Sequence, residues 1–172
     1  MRDNWERAGF GIYIHWPFCE AKCPYCDFNS HVSSEIDQKA WANAYLREIT
    51  NSYRFTSNMV LSTIFFGGGT PSLMFAETVH KILSHIKSLW KVSDNLEVTL
   101  EANPSSVETS KFTEYKSAGI NRVSIGVQSL DNNSLKYLGR LHTSQEALKA
   151  IEVGKSTFDR VSFDLIYSRQ NQ

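Results

Sequence analysis

The sequence lacks a net charge, a long apolar run and any internal repeat. Its 172 residues carry 18 basic and 18 acidic side chains, so the formal net charge is zero. Proteins that bind nucleic acid through its phosphates usually carry a basic excess, so that class of partner is not expected. No apolar run approaches the ~18 residues of a membrane span. The first seven residues, Met1 to Arg7, lack the apolar stretch of a secretion signal, and we therefore expect a soluble, cytoplasmic protein.

Cysteine is also scarce, and its placement is informative. The only three cysteines are Cys19, Cys23 and Cys26, which lie within eight residues of one another. A secreted disulfide scaffold usually has an even number of cysteines spread along the chain. Three clustered thiols in a reducing compartment favour a site for a soft metal instead.

The remaining composition is that of a folded domain, with 41% hydrophobic and 21% charged residues. Strand and helix periodicities alternate along it. Predicted strands are Gly11–His15, Val60–Phe66, Leu96–Glu101, Asn121–Gln128 and Arg160–Tyr167. Five helices are predicted: Ser34–Tyr53, a stripe from Val79 to Trp90, Ser105–Ala118, Asn132–Leu138 and Ser144–Lys155. Ser34 is expected to cap the first helix, and Gly119 to end the third. This alternation predicts parallel βαβ units.

The later strands each have one apolar and one more polar face. In the fourth strand Val123, Ile125 and Val127 alternate with Ser124, Gly126 and Gln128, and the fifth alternates Val161, Phe163 and Leu165 with Ser162, Asp164 and Ile166. Strands buried on both faces of a flat sheet would be almost wholly apolar. The pattern favours an α/β fold, a partial parallel (β/α) barrel of about five βα units with a polar interior.

Five strands cannot close such a barrel, so we expect it to be incomplete. Residues 1–10 are predicted to be an N-terminal extension and residues 11–172 the core, without the C-terminal part of the barrel or a C-terminal domain. The open edge and uncovered interior predict poor solubility.

Polar residues gather where the predicted strands end. The cysteine loop follows the first strand, Gly67–Gly69 follow the second, Glu101 and Gln128 end the third and fourth, and Asp164 lies late in the fifth. Parallel α/β proteins bind ligands at this edge of the sheet. We therefore expect a binding site there.

The spacing C-x3-C-x2-C allows three kinds of site. Three thiolates can each hold one iron of a cubane cluster and leave one iron open for a substrate or cofactor. A zinc site would need a fourth ligand, for which His15 and His31 are candidates. Buried thiols without a ligand are the third possibility.

Two motifs identify a family. The segment Tyr13–Cys26, followed by Phe66–Pro71, resembles the radical S-adenosylmethionine (SAM) superfamily, and within it the group of coproporphyrinogen dehydrogenases and HemW heme chaperones. Three further family-like segments follow in order, namely Glu101–Pro104, Gly126–Gln128 and Asp164–Tyr167. The resemblance runs from about residue 10 to the end of the chain.

The resemblance implies a 4Fe-4S cluster on Cys19, Cys23 and Cys26, with SAM on the fourth iron. An electron from the reduced cluster would then cleave SAM to methionine and a 5′-deoxyadenosyl radical. The matching SAM-binding positions here are Tyr13, Tyr25, Gly68, Gly69, Thr70, Glu101, Gln128, Arg140 and Asp164. Structural alternatives remain for some of them: a tight strand exit for the glycines, a solvated helix-end arginine for Arg140 and a structural acceptor for Asp164. All five histidines are expected to be structural more often than ligands.

Two departures from the family pattern affect the function. Phe28 stands where coproporphyrinogen dehydrogenases carry a further cysteine, which favours the HemW branch. The end, Ser168–Gln172, lacks the proline and glycine usual in relatives, which continue for about as many residues again.

Three functions follow from these observations. The first is a heme chaperone that binds a cluster, SAM and heme and passes heme to an acceptor protein. The second is an oxygen-independent coproporphyrinogen III dehydrogenase, which converts two propionates to vinyl groups. The third is a zinc-binding module without catalytic activity.

Overall fold

The computed structural model describes residues 9–169. Most of the expected N-terminal extension, and residues 170–172 of the departing C-terminal segment, lie outside this part. The strands are β1 (Phe10–Trp16), β2 (Phe18–Cys19), β3 (His31–Val32), β4 (Val60–Gly68), β5 (Lys91–Ala102), β6 (Arg122–Gln128) and β7 (Arg160–Leu165). The helices are α1 (Gln38–Thr56), α2 (Ala76–Leu89), α3 (Ser106–Thr109), α4 (Phe112–Ala118), α5 (Asn132–Tyr137) and α6 (Ser144–Thr157), with a 3₁₀ turn at Pro71–Leu73. Within the described residues, no helix is long and apolar enough to cross a membrane.

Five strands form one parallel sheet in the order β1-β4-β5-β6-β7. Parallel strands joined through right-handed crossovers in sequential order place their connecting helices on the same face of the sheet. Helices α1, α2, α4 and α6 accordingly pack in series, each against the next. The architecture is the expected α/β fold, a partial parallel barrel.

The core lies between this sheet and the row of helices. Val98 and Leu100 of β5 and Val123, Ile125 and Val127 of β6 point into it and are at most 1% exposed. The α2 stripe of Val79, Ile82, Leu83 and Ile86 packs in the same core. The opposite faces of β5 and β6 carry Glu101, Ser124 and Gln128, so the predicted one-sided polarity of these strands is confirmed.

The predicted apolar face of the last strand is buried only at its beginning. Val161 packs against the core, but Phe163 is 44% and Leu165 51% exposed. Strand β7 has one neighbour, β6, among the described residues, and α6 covers only part of it. The apolar face that the alternation predicts for this strand is therefore covered only in part.

Several predicted boundaries are wrong, for local reasons. Helix α1 begins at Gln38 and not Ser34, because the Asp37 carboxylate accepts a hydrogen bond from Ala40 N at 2.9 Å and forms the cap. Strand β5 starts five residues early, and β7 ends at Leu165. The pair β2–β3 lies in a segment that the sequence predicts as loop.

The predicted helix from Ser105 to Ala118 is interrupted. It divides into α3 and α4 around Ser110 and Lys111, and the Glu108 carboxylate of α3 turns inward to Asn103 and Ser72. The predicted end of this segment is correct, because Gly119 adopts φ 114° at the C-terminus of α4.

Tyr115 connects the core to the turn that follows β4. Its ring is fully buried, and its hydroxyl donates to the carbonyl oxygens of Ser72 at 2.6 Å and Met74 at 3.0 Å. These two bonds join α4 to the 3₁₀ turn. Burial raises the pKa of Tyr115, so the hydroxyl remains a donor.

We expect Tyr115→Phe to lower the free energy of unfolding by about 1–3 kcal/mol, because two buried carbonyl oxygens lose their donor. Urea denaturation followed by circular dichroism measures the change. Tyr137→Phe is the matched control, since Tyr137 is 66% exposed, and it is expected to change stability by less than about 0.5 kcal/mol. Equal effects of the two substitutions would contradict this role for Tyr115.

Candidate functional site at the carboxyl ends of the strands

A cleft open to solvent lies where β4, β5, β6 and β7 end, and the cysteine loop closes one side of it. Its empty volume, with the space open to solvent included, is about 760 Å³. Eleven of the twelve predicted site residues line it: Cys19, Cys23, Tyr25, Cys26, Gly68, Gly69, Thr70, Glu101, Gln128, Arg140 and Asp164. The parallel sheet therefore brings together residues that are up to 145 positions apart, from Cys19 to Asp164 (164 − 19).

Tyr13 is the exception and does not line the cleft. Its ring stacks on Phe65 with centroids 6.0 Å apart, and its hydroxyl lies 3.5 Å from His15 Nδ1. Burial raises the pKa of Tyr13, and the negative charge of nearby Glu101 raises it further.

The cysteine loop is held at both ends by backbone hydrogen bonds. His31 N donates to Pro17 O at 2.7 Å in the short β2–β3 pair, and Cys26 N donates to Cys23 O at 3.0 Å. Lys22 Nζ spans the loop, 3.4 Å from the carbonyl oxygens of both Phe28 and Ser30. Cys19 is buried, whereas Cys23 and Cys26 are partly exposed toward the cleft.

The two histidines considered as zinc ligands have other surroundings. His15 Nε2 lies 2.9 Å from Asn29 O, which makes that nitrogen a hydrogen-bond donor. His31 is exposed and is not part of the cleft lining. Among the described residues, no three histidine, cysteine or carboxylate side chains are arranged to hold one metal ion.

A cubane cluster makes a different demand, because each thiolate binds its own iron. Three thiols from one loop, all lining one cleft, provide this donor set. The residues present therefore fit a cluster with three protein ligands and an open position toward the cleft.

The glycines after β4 are required by close packing of the chain on itself. A Cβ at Gly68, where φ is 115°, would lie 2.7 Å from His15 Nδ1, and a Cβ at Gly69 would lie 2.5 Å from Phe18 O. Gly69 N donates to Trp16 O at 2.6 Å and Thr70 N to Phe18 O at 2.7 Å. The turn is thus a tight strand exit, and it lies against Cys19 at the edge of the cleft.

Glu101 lies near the end of β5, beside the glycine turn. Its Oε2 accepts a hydrogen bond from Gly68 N at 3.3 Å. Burial raises the pKa of Glu101, the negative charge of Asp164 raises it further, and the bond from Gly68 acts in the opposite direction. Asp164 itself is exposed at the rim of the cleft, and this end of the cleft is acidic.

Arg140 lies beside Cys23 in the same cleft. Its Nη2 donates to Asn103 Oδ1 at 2.6 Å and to Gly126 O at 2.8 Å. Its Nη1 lies 3.4 Å from Cys23 Sγ and 3.5 Å from Tyr25 Oη. Arg140 is therefore not a solvated helix-end arginine.

Tyr25 shares this environment. Burial raises its pKa to about 12, Arg140 lowers it, and Cys23 raises it.

Gln128 ends β6 in a left-handed conformation, with φ 66°. Its carbonyl oxygen accepts a hydrogen bond from Ile166 N at 3.0 Å, which continues the pairing of β6 with β7 into the cleft. Its side chain approaches Gly126, where an added Cβ would lie 3.1 Å from Gln128 Nε2.

Sequence reasoning missed two residues of this arrangement. Asn103 follows β5 and bonds to Arg140, and Glu108 holds Asn103 from outside the cleft. Asn103 stands in the family-like segment Glu101–Pro104, which offered a signal, whereas Glu108 lies in a helical pattern that offered none. His142 is buried, with Nε2 3.1 Å from Val127 O, and the expectation of a structural histidine is confirmed.

Comparison with known proteins gives consistent results. Residues 13–168 match the model of the radical SAM superfamily. The heme chaperone HemW of Haemophilus influenzae is 42% identical over 167 residues, which cover 94% of this chain and 44% of that protein. The heme chaperone HemW of Escherichia coli is 39% identical, with 94% and 43% covered. A bovine mitochondrial protein, radical S-adenosyl methionine domain-containing protein 1, is 39% identical, with 90% and 35% covered.

Among solved structures, coproporphyrinogen III oxidase (HemN) from Escherichia coli superposes with a TM-score of 0.83 over 94% of this chain and 38% of that one. With 22% sequence identity, this superposition shows a shared fold and no more. The chain spans less than half the length of the curated relatives it matches. From the family match across residues 13–168 and these relatives, the chain belongs to the radical SAM superfamily.

Proposed function

We propose that this chain is the cluster- and SAM-binding part of a HemW-like heme chaperone, which binds heme and transfers it to an acceptor protein. The observation that carries the proposal is that the three cysteines, Arg140, Glu101 and Asp164 all line one cleft. The similarity to heme chaperones over 94% of the chain supports the choice of branch.

In this proposal Cys19, Cys23 and Cys26 hold a 4Fe-4S cluster by three of its irons. The cluster, when bound and reduced, supplies an electron for the cleavage of SAM at the open iron. The loop that carries the thiolates keeps its shape through Lys22 and the β2–β3 pair. The requirement for thiolates also favours a reducing compartment such as the cytosol.

The remaining side chains match the chemistry of SAM. The Arg140 guanidinium suits the SAM carboxylate beside the cluster. The carboxylates of Glu101 and Asp164 suit the ribose hydroxyls and the positive charge of the ligand at the acidic end. Gly68, Gly69 and Thr70 line the same cleft.

Phe28 supports the chaperone over the dehydrogenase. It lines the cleft and is 60% exposed, at the position where the dehydrogenases carry a further cysteine. A phenyl ring cannot bind iron or take part in thiol chemistry, and it offers an apolar surface suited to a porphyrin.

Anaerobic reconstitution tests the cluster. We expect dithionite-reduced protein to give the electron paramagnetic resonance signal of a reduced 4Fe-4S cluster, and the signal to change when SAM is added. Cys23→Ser is expected to lose most of the bound iron, because one of three thiolate ligands is removed.

His31→Ala is the matched control, since His31 belongs to the same loop but not to the cleft lining. We expect it to keep the iron and the signal. If the parent protein contains zinc and His31→Ala loses it, the zinc-binding module would be the correct interpretation and the cluster would be refuted.

Heme titration separates the two heme-related functions. We expect a stoichiometric change in the Soret absorption and no anaerobic decarboxylation of coproporphyrinogen III. Turnover of coproporphyrinogen III to a divinyl product would establish the dehydrogenase instead.

The acidic end of the cleft predicts a pH dependence. The pKa of Glu101 is raised above 4.5 in the folded state, so its contribution to stability is present below pH 4.5 and is lost as the pH rises through the folded pKa. Asp164→Asn is expected to lower the pKa of Glu101 and to reduce this loss, which ¹³C-carboxyl NMR titration and urea denaturation measure. Asp94→Asn, an exposed site in the first half of β5, is expected to change neither. An unchanged Glu101 titration in Asp164→Asn would refute the coupling.

A further inference from the structure

Glu108 is a buried carboxylate outside the main cleft. It is 3% exposed, and its hydrogen-bond donors are neutral: Ser72 Oγ, Asn103 N at 2.8 Å and Asn103 Nδ2 at 3.2 Å. Burial raises the pKa of Glu108, and these three hydrogen bonds act in the opposite direction. A carboxylate in such a place costs free energy, so its three directed bonds indicate a role beyond packing.

These bonds determine which way the Asn103 amide faces. An ionised carboxylate only accepts hydrogen bonds, so the amide NH2 group of Asn103 must face Glu108. The same Nδ2 lies 3.4 Å from Thr70 Oγ1. The amide oxygen is thereby left facing the opposite way, where it accepts from Arg140 Nη2 at 2.6 Å.

Arg140 in turn reaches the cysteine loop. With Nη2 held by Asn103 and Gly126, its Nη1 lies 3.4 Å from Cys23 Sγ. Its Nε is buried and has no hydrogen-bond partner among the described residues. The guanidinium is thus fixed on one side and retains an unused donor.

We propose that Glu108 is a positioning residue, whose carboxylate orients the Asn103 amide and so holds the Arg140 guanidinium beside Cys23. The chain of contacts runs from α3 through the end of β5 to the loop after α5. The positioning itself is independent of the proposed function, and its consequence for SAM rests on that function.

The substitution Glu108→Gln tests this relay, in which Glu108 orients the Asn103 amide and Asn103 in turn holds Arg140. The new amide keeps one acceptor oxygen for Ser72 and Asn103 N, but its NH2 group faces the NH2 group of Asn103, donor against donor. If Asn103 turns over to relieve this conflict, it presents its NH2 group to Arg140, and the bond to Nη2 is lost. Arg140 then keeps only its bond to Gly126 O on this side.

The double variant Glu108→Gln, Asn103→Asp restores the relay with its polarity reversed. The amide introduced at position 108 would donate to one oxygen of the carboxylate introduced at position 103, and the other oxygen would accept from Arg140. If Glu108 acts through packing alone, the double variant should not recover. The single variant Asn103→Asp is expected to be destabilising, because it places a second negative charge next to Glu108.

The first measurement uses the protein without a cluster. We expect ¹⁵N NMR to show a shifted Arg140 Nε–H resonance in Glu108→Gln and a return toward the parent position in the double variant. Glu114→Gln, an exposed glutamate on α4, is the matched control and is expected to leave the resonance in place. An unchanged Arg140 resonance in Glu108→Gln, or no return in the double variant, would overturn the proposal.

The second measurement uses reconstituted protein and the SAM dissociation constant from equilibrium dialysis. We expect Glu108→Gln to weaken binding about tenfold, the order expected when one charge-assisted hydrogen bond is lost, and the double variant to recover to within about threefold. SAM binding that is the same in all variants despite a shifted resonance would overturn the consequence for SAM. Failure of the parent protein to bind SAM would refute the proposed function, and the NMR result would then decide the positioning alone.

If Glu108→Gln does not fold, Asn103→Ala tests the step from Asn103 to Arg140. It keeps the Glu108 bonds to Ser72 and to the backbone at position 103 and removes the side-chain contacts of Asn103 to Glu108, Thr70 and Arg140. We expect the same shift of the Arg140 resonance, and an unchanged resonance would count against the relay.

Discussion

The side chain of Arg140 joins the cysteine loop to the sheet. Its guanidinium bonds to Asn103, which follows β5, and to Gly126 of the neighbouring strand β6, and it reaches Cys23 in the cysteine loop. The loop is also held by the short β2–β3 pair, by Lys22 and by the glycine turn that lies against Cys19. The position of Cys23 relative to the ends of β5 and β6 therefore depends on Arg140 and on the groups that orient it.

Parallel pairing explains why these groups meet. The strands β1, β4, β5, β6 and β7 run in one direction, so every loop that follows a strand emerges at the same edge. Successive side chains of a strand point to opposite faces of the sheet, so apolar residues face the helices and polar residues face the cleft. A single cleft lined by the thiols, Arg140 and two carboxylates is the result.

The glycine turn shows how one segment meets two requirements. Gly68 and Gly69 are needed because a Cβ would collide with His15 and Phe18, and this packing brings the turn against Cys19. The structural and the ligand-binding interpretations of these glycines are therefore compatible. A larger residue would first disturb the position of the cysteine loop, and through it the cleft.

Periodicity determined the α/β class and the five parallel strands, because alternating polarity is a local property of the sequence and strands that alternate with helices imply parallel βαβ units. The resemblance of the motifs to a known family predicted eleven of the cleft residues. Tertiary structure alone decided the break between α3 and α4, the partners of Arg140 and the role of Glu108. Glu108 has the spacing of an ordinary helical glutamate, and only the approach of Ser72 and Asn103, 36 and 5 residues away, turns it inward. The exposure of Phe163 and Leu165 was likewise hidden, because an alternating pattern shows which residues share a face but not whether another element covers it.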